Sequence, residues 1–282
     1  MYIVVILSCL ILAAILAQTA ELRRFRTTEY EIMTDKVHHM GRLAVLADLH
    51  GFTYGKGNKR LLEAVRKAKP DVILIAGDLV VTEKTGSYDT ATRLCLDLTK
   101  SAPVFYTFGN HETRAADRKN PKIAAFVSTL QKAGVTFLNN EFSTEPVQGE
   151  ELTIYGLEVP MTYYQKGVHN VLPDDFIAEK LGSCSDESFS ILLSHNPMFG
   201  EDYFAWGADL ILSGHTHGGL VRFPGKGSLI SPELTFFPKY DGGIYEKDGS
   251  HLIVSKGLGT HSFHIRIFDR AEIVSVLLKP QS

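Results

Sequence analysis

Cysteine is scarce in this sequence. Three residues, Cys9, Cys95 and Cys184, occur with no CxxC pair among them, which excludes a disulfide framework and a thiolate-held structural zinc. Cys9 lies in an apolar N-terminus and Cys95 in a helix-like segment, so both read as small buried hydrophobes. Long Lys/Arg runs are missing as well. With a formal net charge of -3 there is no electrostatic footprint for a nucleic-acid backbone, and no nucleic-acid partner is indicated. No GxSxG elbow occurs, and Ser194-His195 are neighbours on a strand, whose side chains point to opposite faces and cannot form a dyad. Gly55-Lys56-Gly57 and Gly225-Lys226-Gly227 lack the spacing of a P-loop and read as turns. No Pro/Ser-rich linker divides the chain after its first 40 residues, so 41–282 reads as one domain.

Charge is also absent from the start of the chain. Residues 1–20 carry no charged side chain, and 2–17 is apolar apart from Ser8. A helix of that length, at about 1.5 Å per residue, reaches roughly 30 Å, the hydrocarbon thickness of a bilayer. A transmembrane helix is expected over 1–20, then a linker and entry to the domain over 21–40. The rival is a cleaved signal peptide. Against it, no basic residue precedes the apolar run, and Ala17-Gln18-Thr19-Ala20 lacks a clean A-x-A site. Arg23, Arg24 and Arg26 follow the span, so the positive-inside tendency predicts a single-pass membrane protein with its domain on the cytoplasmic side. His38 and His39, in the mixed stretch before the domain, read as solvated.

What remains is ordinary globular sequence, 44% hydrophobic and 22% charged, with a regular rhythm. Short apolar runs at 43–46, 72–76 and 104–108 read as buried strands. Between and after them, 59–69 (with Asn58 as its cap), 87–100 and 121–133 carry helical apolar stripes. Strand and helix alternating in this way predict an α/β domain with parallel strands. Later strand-like segments at 136–138, 152–155, 220–223, 252–255 and 273–278 have less helix between them, which suggests a second sheet packed on the first.

Each early strand, and two later ones at 191–193 and 210–212, stops at residues that bind metal or phosphate. The endings are Asp48-Leu49-His50, Gly77-Asp78, Gly109-Asn110-His111-Glu112, Ser194-His195 and Gly214-His215-Thr216-His217. In parallel sheets ligands bind beyond the carboxyl ends of the strands. Asp48 and His50 are two apart, as are His215 and His217, and in an extended segment each pair points to one side. Asp78 follows a glycine that permits a sharp turn, and its two oxygens could bridge two cations. Asn110 adds an amide oxygen and His195 another imidazole. Asp48, His50, Asp78, Asn110, His195, His215 and His217 together suit two divalent metals with mixed N and O ligands, such as Mn, Fe or Zn. Metals about 3.5–4 Å apart clamp a phosphoryl group and lower the pKa of a bound water from about 15.7 to near 7. Hydroxide so formed would attack phosphorus in line. His111 adjoins a ligand but is off the strand-side alternation, so it is assigned to proton donation, with Glu112 as a group that could orient it.

These five motifs, in this order over residues 48–217, resemble the signature of the calcineurin-like metallophosphoesterase superfamily. The resemblance implies a four-layer αββα sandwich of two mixed β-sheets flanked by helices. It implies a first metal on Asp48, His50, Asp78 and His217, a second on Asp78, Asn110, His195 and His215, and His111 as the catalytic acid. The later stretches Gly214–Gly219 with Arg222, Gly242-Gly243-Ile244-Tyr245 and Ser255-Lys256-Gly257-Leu258-Gly259 resemble a membrane-associated bacterial branch. Some members of that branch hydrolyse lipid-linked pyrophosphates such as acylated UDP-sugars. Many relatives carry an Asp three residues after Asp78, where this chain has Val81; that position is no metal ligand.

The expected activity is therefore a dinuclear-metal-dependent phosphoesterase acting on a phosphorylated small molecule or a lipid-linked substrate at a membrane. The alternatives are the same chemistry on soluble nucleotides or phosphoproteins, or a metal-stabilised protein without turnover. Arg222 and Lys256 are candidate contacts to substrate phosphate. His169, His251, His261 and His264 read as structural or surface residues, with His261 closest to a glycine-rich loop and so the one expected to line the site. Trp206 and the Phe236-Phe237 pair fit either the core or a lip near the membrane. Oligomeric state is not legible.

Overall fold

The computed structural model describes residues 2–165, 167–168, 170–219, 221–223, 227–231, 235–260, 266 and 269–281. Its elements run α1 (Tyr2–Leu22), β1 (Phe25–Thr34), β2 (Gly41–Leu46), α2 (Lys59–Ala68), β3 (Val72–Ala76), α3 (Thr85–Leu98), β4 (Val104–Thr107), α4 (Asn110–Asp117) and α5 (Pro121–Lys132). There follow β5 (Val135–Phe137), β6 (Glu141–Val147), β7 (Glu150–Leu157), α6 (Phe176–Leu181), β8 (Phe189–Ser194), α7 (Gly200–Trp206), β9 (Leu210–Ser213) and β10 (Val221–Phe223). The chain closes with β11 (Gly227–Ile230), β12 (Gly243–Lys247), β13 (Ser250–Val254) and β14 (Ala271–Pro280).

The strands form two six-stranded mixed sheets, ordered β1-β14-β2-β3-β4-β5 and β12-β13-β9-β8-β7-β6, and a small β10-β11 hairpin. Both sheets are apolar on both faces, and the two-residue period of a strand sorts their side chains into three layers. Leu43, Val45, Val72 and Leu74 of the first sheet meet Ile191, Leu193, Leu210 and Leu212 of the second in the layer between the sheets. Ala44, Leu46, Ile73 and Ile75 face outward onto α2, α3 and α5, through Leu61, Leu94, Phe126 and others. Leu192, Ile211 and Leu252 face the opposite way, onto α6 and α7 through Ile177 and Tyr203. Helix, sheet, sheet, helix is the four-layer order expected. Each such side chain taken fully out of water contributes about 1.5–3 kcal/mol, so this stacking is what holds the two sheets together.

Several expected elements stand where the sequence placed them, β3 to the residue. Pro121 opens α5, and the Asn120 side chain accepts from Lys122 N at 3.0 Å as its cap. Asn58 does not cap α2 through its side chain. It is left-handed, and its Oδ1 accepts instead from Tyr54 N at 2.8 Å, closing the loop that leads out of β2. Residues 25–34, inside the stretch read as linker and entry, are β1, paired in parallel with β14 along its length. α4 had no apolar stripe to announce it; its mean character is polar and it starts at the metal motif itself.

α1 has helical form over 21 residues, with Tyr2, Val5, Ile6, Leu7, Leu12 and Leu16 exposed on it. Among the described residues no helix is long and apolar enough to cross a membrane, so the transmembrane helix expected over 1–20 is not established by the fold.

Candidate metal centre

β2, β3 and β4 are parallel, as are β8 and β9, so their carboxyl ends lie at one edge of each sheet. The five motifs leave from those ends. Backbone bonds carry the pairing past the strands: Asp48 N donates to Gly77 O at 3.0 Å, His50 N to Asp78 O at 3.1 Å and Gly214 N to His195 O at 3.0 Å. The loops are thus fixed to each other before any side chain is considered.

The expectation that Asp48/His50 and His215/His217 converge because they are extended is corrected here. Asp48 (φ 53°), His50 (φ 48°), Asp78 (φ 55°), His215 (φ 70°) and His217 (φ 51°) are all left-handed. Non-glycine residues reach that region at a cost, and it concentrates at functional sites. The pairs converge through tight turns rather than through strand alternation. Gly77 (φ 82°) and Gly109 make the turns possible: a Cβ on Gly77 would lie 2.5 Å from Gly109 N, and one on Gly109 would overlap the Asp78 carboxylate.

Six of the seven expected ligand side chains meet in two groups. Asp48, His50 and His217 form one group of ligand atoms, and Asp78, His195 and His215 a second, all atoms in each group lying within 4.8 Å of one another. His50 Nε2 stands 3.7 Å from Asp48 Oδ1 and 3.8 Å from Asp78 Oδ2, while His195 Nε2 is 3.3 Å from Asp78 Oδ2. Asp78 therefore faces both groups. All but His217 are buried.

Hydrogen bonds aim the donors inward. His195 Nδ1 is 2.7 Å from Ala76 O and His217 Nδ1 is 3.0 Å from Gly259 O. A carbonyl only accepts, so each Nδ1 carries the proton and each Nε2 turns a lone pair to the centre. Asp48 is held by His215 N at 2.9 Å, and Asp78 Oδ1 by His111 N at 2.8 Å. Asn110 Oδ1 is buried with no hydrogen-bond partner among the described residues, and His195 Nε2 meets the carboxylates of Asp78 at 3.3 Å and Asp48 at 3.8 Å. A buried polar atom left unpaired is costly, and a cation beside Asn110 Oδ1 would satisfy it. The donor set, imidazole, carboxylate and amide oxygen without thiolate, fits two divalent cations.

Charge follows the same geometry. Burial works against the Asp48 carboxylate, but His217, His50 and His195 outweigh it and hold the group down at about 2. Burial likewise disfavours the His195 imidazolium, and Asp78, then Asp48, lift it to about 10. At His217 burial prevails over the attraction of Asp48, and the ring is held at about 3. Without metal, the cluster keeps a proton on His195 in the place of a cation.

His111 sits in the first turn of α4, grouped with His50 and Asp78. Its orienting partner is not Glu112. His111 Nδ1 is 3.2 Å from Thr82 N and 3.0 Å from Thr82 Oγ1. An amide N–H only donates, so Nδ1 accepts and Nε2 carries the proton. Glu112, fully buried, instead accepts from Asp78 N (2.9 Å), Gly109 N (3.1 Å), Val80 N (3.3 Å) and the Tyr106 hydroxyl (2.7 Å). It ties the Asp78 loop to the Asn110 loop. Burial and then the Asp78 charge push its pKa up to about 8.

Thr82 was missed because it bears no metal chemistry, and only its proximity in sequence to Asp78 could have drawn attention to it; Gly259, in a stretch quoted for its resemblance, had no role assigned, and its carbonyl orients His217. Arg222 is committed within the fold, to Asp241 Oδ2 (3.1 Å), Gly218 O (3.2 Å) and Gly242 O (3.4 Å). Lys256 is half-buried beside it. His251 faces Glu246 across β12 and β13 at 3.9 Å, away from the centre. His169, His261 and His264 lie outside the described residues. Trp206 is half-buried against Tyr155, with ring centroids 4.9 Å apart, whereas Phe236 and Phe237 are exposed.

Comparison with known proteins agrees with this geometry. The model of the calcineurin-like phosphoesterase family matches residues 41–219. The uncharacterized metallophosphoesterase YkuE of Bacillus subtilis (strain 168) is 27% identical over 270 residues, covering 93% of this chain and 88% of that protein. The phosphodiesterase YaeI of Escherichia coli (strain K12) is 27% identical over 216 residues, covering 74% of this chain and 71% of that one. A zebrafish (Danio rerio) protein described as a transmembrane protein with metallophosphoesterase domain is 28% identical over 248 residues, 84% of this chain but 53% of its own length.

Proposed function

The chain belongs to the calcineurin-like phosphoesterase family and is a metal-dependent phosphoester hydrolase, and on that premise we propose how its residues divide the work. Asp48, His50, Asp78 and His217 hold one divalent cation; Asp78, Asn110, His195 and His215 hold the other. The observation that carries this reading is the pair of ligand groups facing Asp78 from either side. When bound, two such cations supply a water of lowered pKa and a clamp for phosphoryl oxygens.

The chain's own residues do the rest. Asp48 and Asp78, each held by a backbone N–H, are fixed as carboxylates before substrate arrives. Thr82 keeps the His111 proton on Nε2, where it can pass to the leaving oxygen of the substrate. Lys256, whose half-buried position weakens the hold on its proton through desolvation, is the residue assigned to an anionic substrate group. Arg222 supports it by fixing the Gly218 and Gly242 carbonyls.

α1 seats in a bilayer in this reading, with the domain on the cytoplasmic side. The exposed apolar side chains of α1, the arginines after it and the transmembrane character of the zebrafish relative named above support that placement. A lipid-linked phosphate or pyrophosphate, such as an acylated UDP-sugar, is the substrate class such a placement favours.

The test uses the full chain in detergent, stripped of metal and assayed on bis-p-nitrophenyl phosphate with Mn, Zn, Fe or Mg restored. Turnover that needs metal and disappears in Asp78→Asn supports the assignment. Metal bound without turnover on any ester would assign the chain to the non-catalytic alternative.

A further inference from the structure

The edge that carries the metal centre has features the hydrolase chemistry does not use. β14 is antiparallel to β2 and β1 is parallel to β14, with Val274 beside Val45 and Phe25 beside Ala271. β1 therefore starts at the edge where β2 ends, and α1 leaves the domain on the same side as Asp48. Contacts pin that junction: Arg60 Nη1 donates to Arg23 O at 3.2 Å, Arg270 Nε to Glu21 at 2.7 Å, and the Phe25 and Tyr54 rings lie 4.8 Å apart.

Around the junction stand Arg23, Arg24, Lys56, Lys59, Arg60 and Arg270, all exposed. The facing acidic groups are Glu21, paired with Arg270, and Glu63, 3.8 Å from Lys59. The rim is thus basic in a chain whose formal net charge is -3. At the same edge the chain passes from His217 into the β10-β11 hairpin, which Arg222 ties to Gly218 O. The hairpin and the residues after it expose Phe223 (47%), Phe236 (67%) and Phe237 (70%). Phe237 is held at φ 48°, a conformation that is costly for a bulky residue.

An apolar helix and a basic collar at the edge of the metal centre, with exposed aromatic rings on the segment that leaves His217, match the acyl region, the anionic headgroups and the interface of a bilayer. We propose that this edge docks on an anionic lipid surface, with α1 in the bilayer, the collar on the headgroups and the three phenylalanines in the interface. The mouth of the metal centre then faces the headgroup layer. The docking rests on the collar and the exposed rings together with the bilayer reading of α1 made above; that the phosphate hydrolysed is one presented at headgroup depth rests also on the hydrolase reading.

The native tryptophan, Trp206, belongs to α7 on the outer face of the second sheet and serves as the control. The full chain carrying Trp206→Phe and Phe236→Trp is reconstituted in phosphatidylglycerol-containing vesicles with brominated acyl chains. Emission from the introduced indole should shift to the blue and be quenched several-fold more than that of Trp206 in the parent chain. Equal quenching at the two positions would overturn the proposal. Arg23→Glu, Arg60→Glu and Arg270→Glu introduced together should reduce the quenching and leave turnover of bis-p-nitrophenyl phosphate in detergent within about twofold, since none of them touches the centre; unchanged quenching would overturn it too. A parent chain with no such turnover would sink the hydrolase reading and leave the docking result standing.

Discussion

The backbone N–H of Asp78, in the loop after β3, donates at 2.9 Å to Oε2 of Glu112, which sits in a helix that begins 32 residues later in the chain at Asn110. Through that bond and its three companions, one buried carboxyl sets the relative position of the two loops that supply Asp78 and Asn110. Each oxygen of Glu112 accepts from at least one backbone N–H, Asp78 and Gly109 at Oε2 and Val80 at Oε1. Glu112→Gln is therefore expected to turn an N–H₂ against backbone donors and to loosen metal by about 10–100-fold, the usual effect of removing a ligand's support. Metal competition against a chelator measures it. Tyr106→Phe, which removes one donor to the same group, should cost about 1 kcal/mol in stability with metal retained.

His111 is grouped with the centre but is assigned to proton transfer. His111→Ala should lower kcat on a poor leaving group by about 10²–10⁴-fold, with a smaller effect on an ester whose leaving group needs no proton. Thr82→Val keeps the backbone N–H and loses only the hydroxyl, so its loss of kcat should be milder and in the same substrate order. Comparing p-nitrophenyl and alkyl phosphodiesters in both variants reads the difference directly.

Gly109 has no room for a side chain, because a Cβ there would overlap the Asp78 carboxylate. Gly109→Ala should displace Asp78 and abolish binding of the shared metal pair while the helices and sheets persist. Circular dichroism and metal analysis on one sample separate the two effects.

The pKa shifts at the centre give the metal-free fold a definite pH window. His195 is raised from 6.5 to about 10, so its contribution is complete below 6.5 and is lost as pH rises through 10. Asp48 is lowered from 3.8 to about 2, so its contribution is present above 3.8 and is lost as pH falls through 2. His217, lowered from 6.5 to about 3, loses stability as pH falls below 6.5, and Glu112, raised from 4.5 to about 8, loses it as pH rises above 4.5. The chelated protein should thus have its highest Tm inside those limits and lose stability on the alkaline side. Added metal replaces the His195 proton and should flatten that alkaline decline. Thermal scans against pH, with and without metal, test it.

Much of this was legible before the fold was known, and the reason is local. Strands β2, β3, β4, β8 and β9 are short, largely apolar and end on polar motifs, so pattern alone located both the core and the centre. The four layers needed the family resemblance, because no periodicity says which strands share a sheet. The route by which Asp48 and His50 converge was misread: strand alternation was assumed where the chain had already turned into left-handed backbone, which side-chain type does not reveal. Glu112 was read as a partner of His111 because it is next in sequence. In a helix, neighbours diverge by about 100°, so Thr82, arriving from the Asp78 loop, reaches His111 and Glu112 turns beneath the loops. α4 escaped notice because its buried face is made of Asn110, His111, Glu112 and Thr113, residues that carry no hydrophobic period.

The central claim is that Asp78 joins two cations into one centre. Electron paramagnetic resonance of the chain loaded with Mn(II), read beside the bound metal per chain, examines that most directly. Two Mn per chain with the signal of an exchange-coupled pair, replaced in Asp78→Asn by that of isolated ions or lost with the metal, is the predicted result. Two uncoupled ions in the unaltered chain, or a pair unaffected by Asp78→Asn, would contradict it.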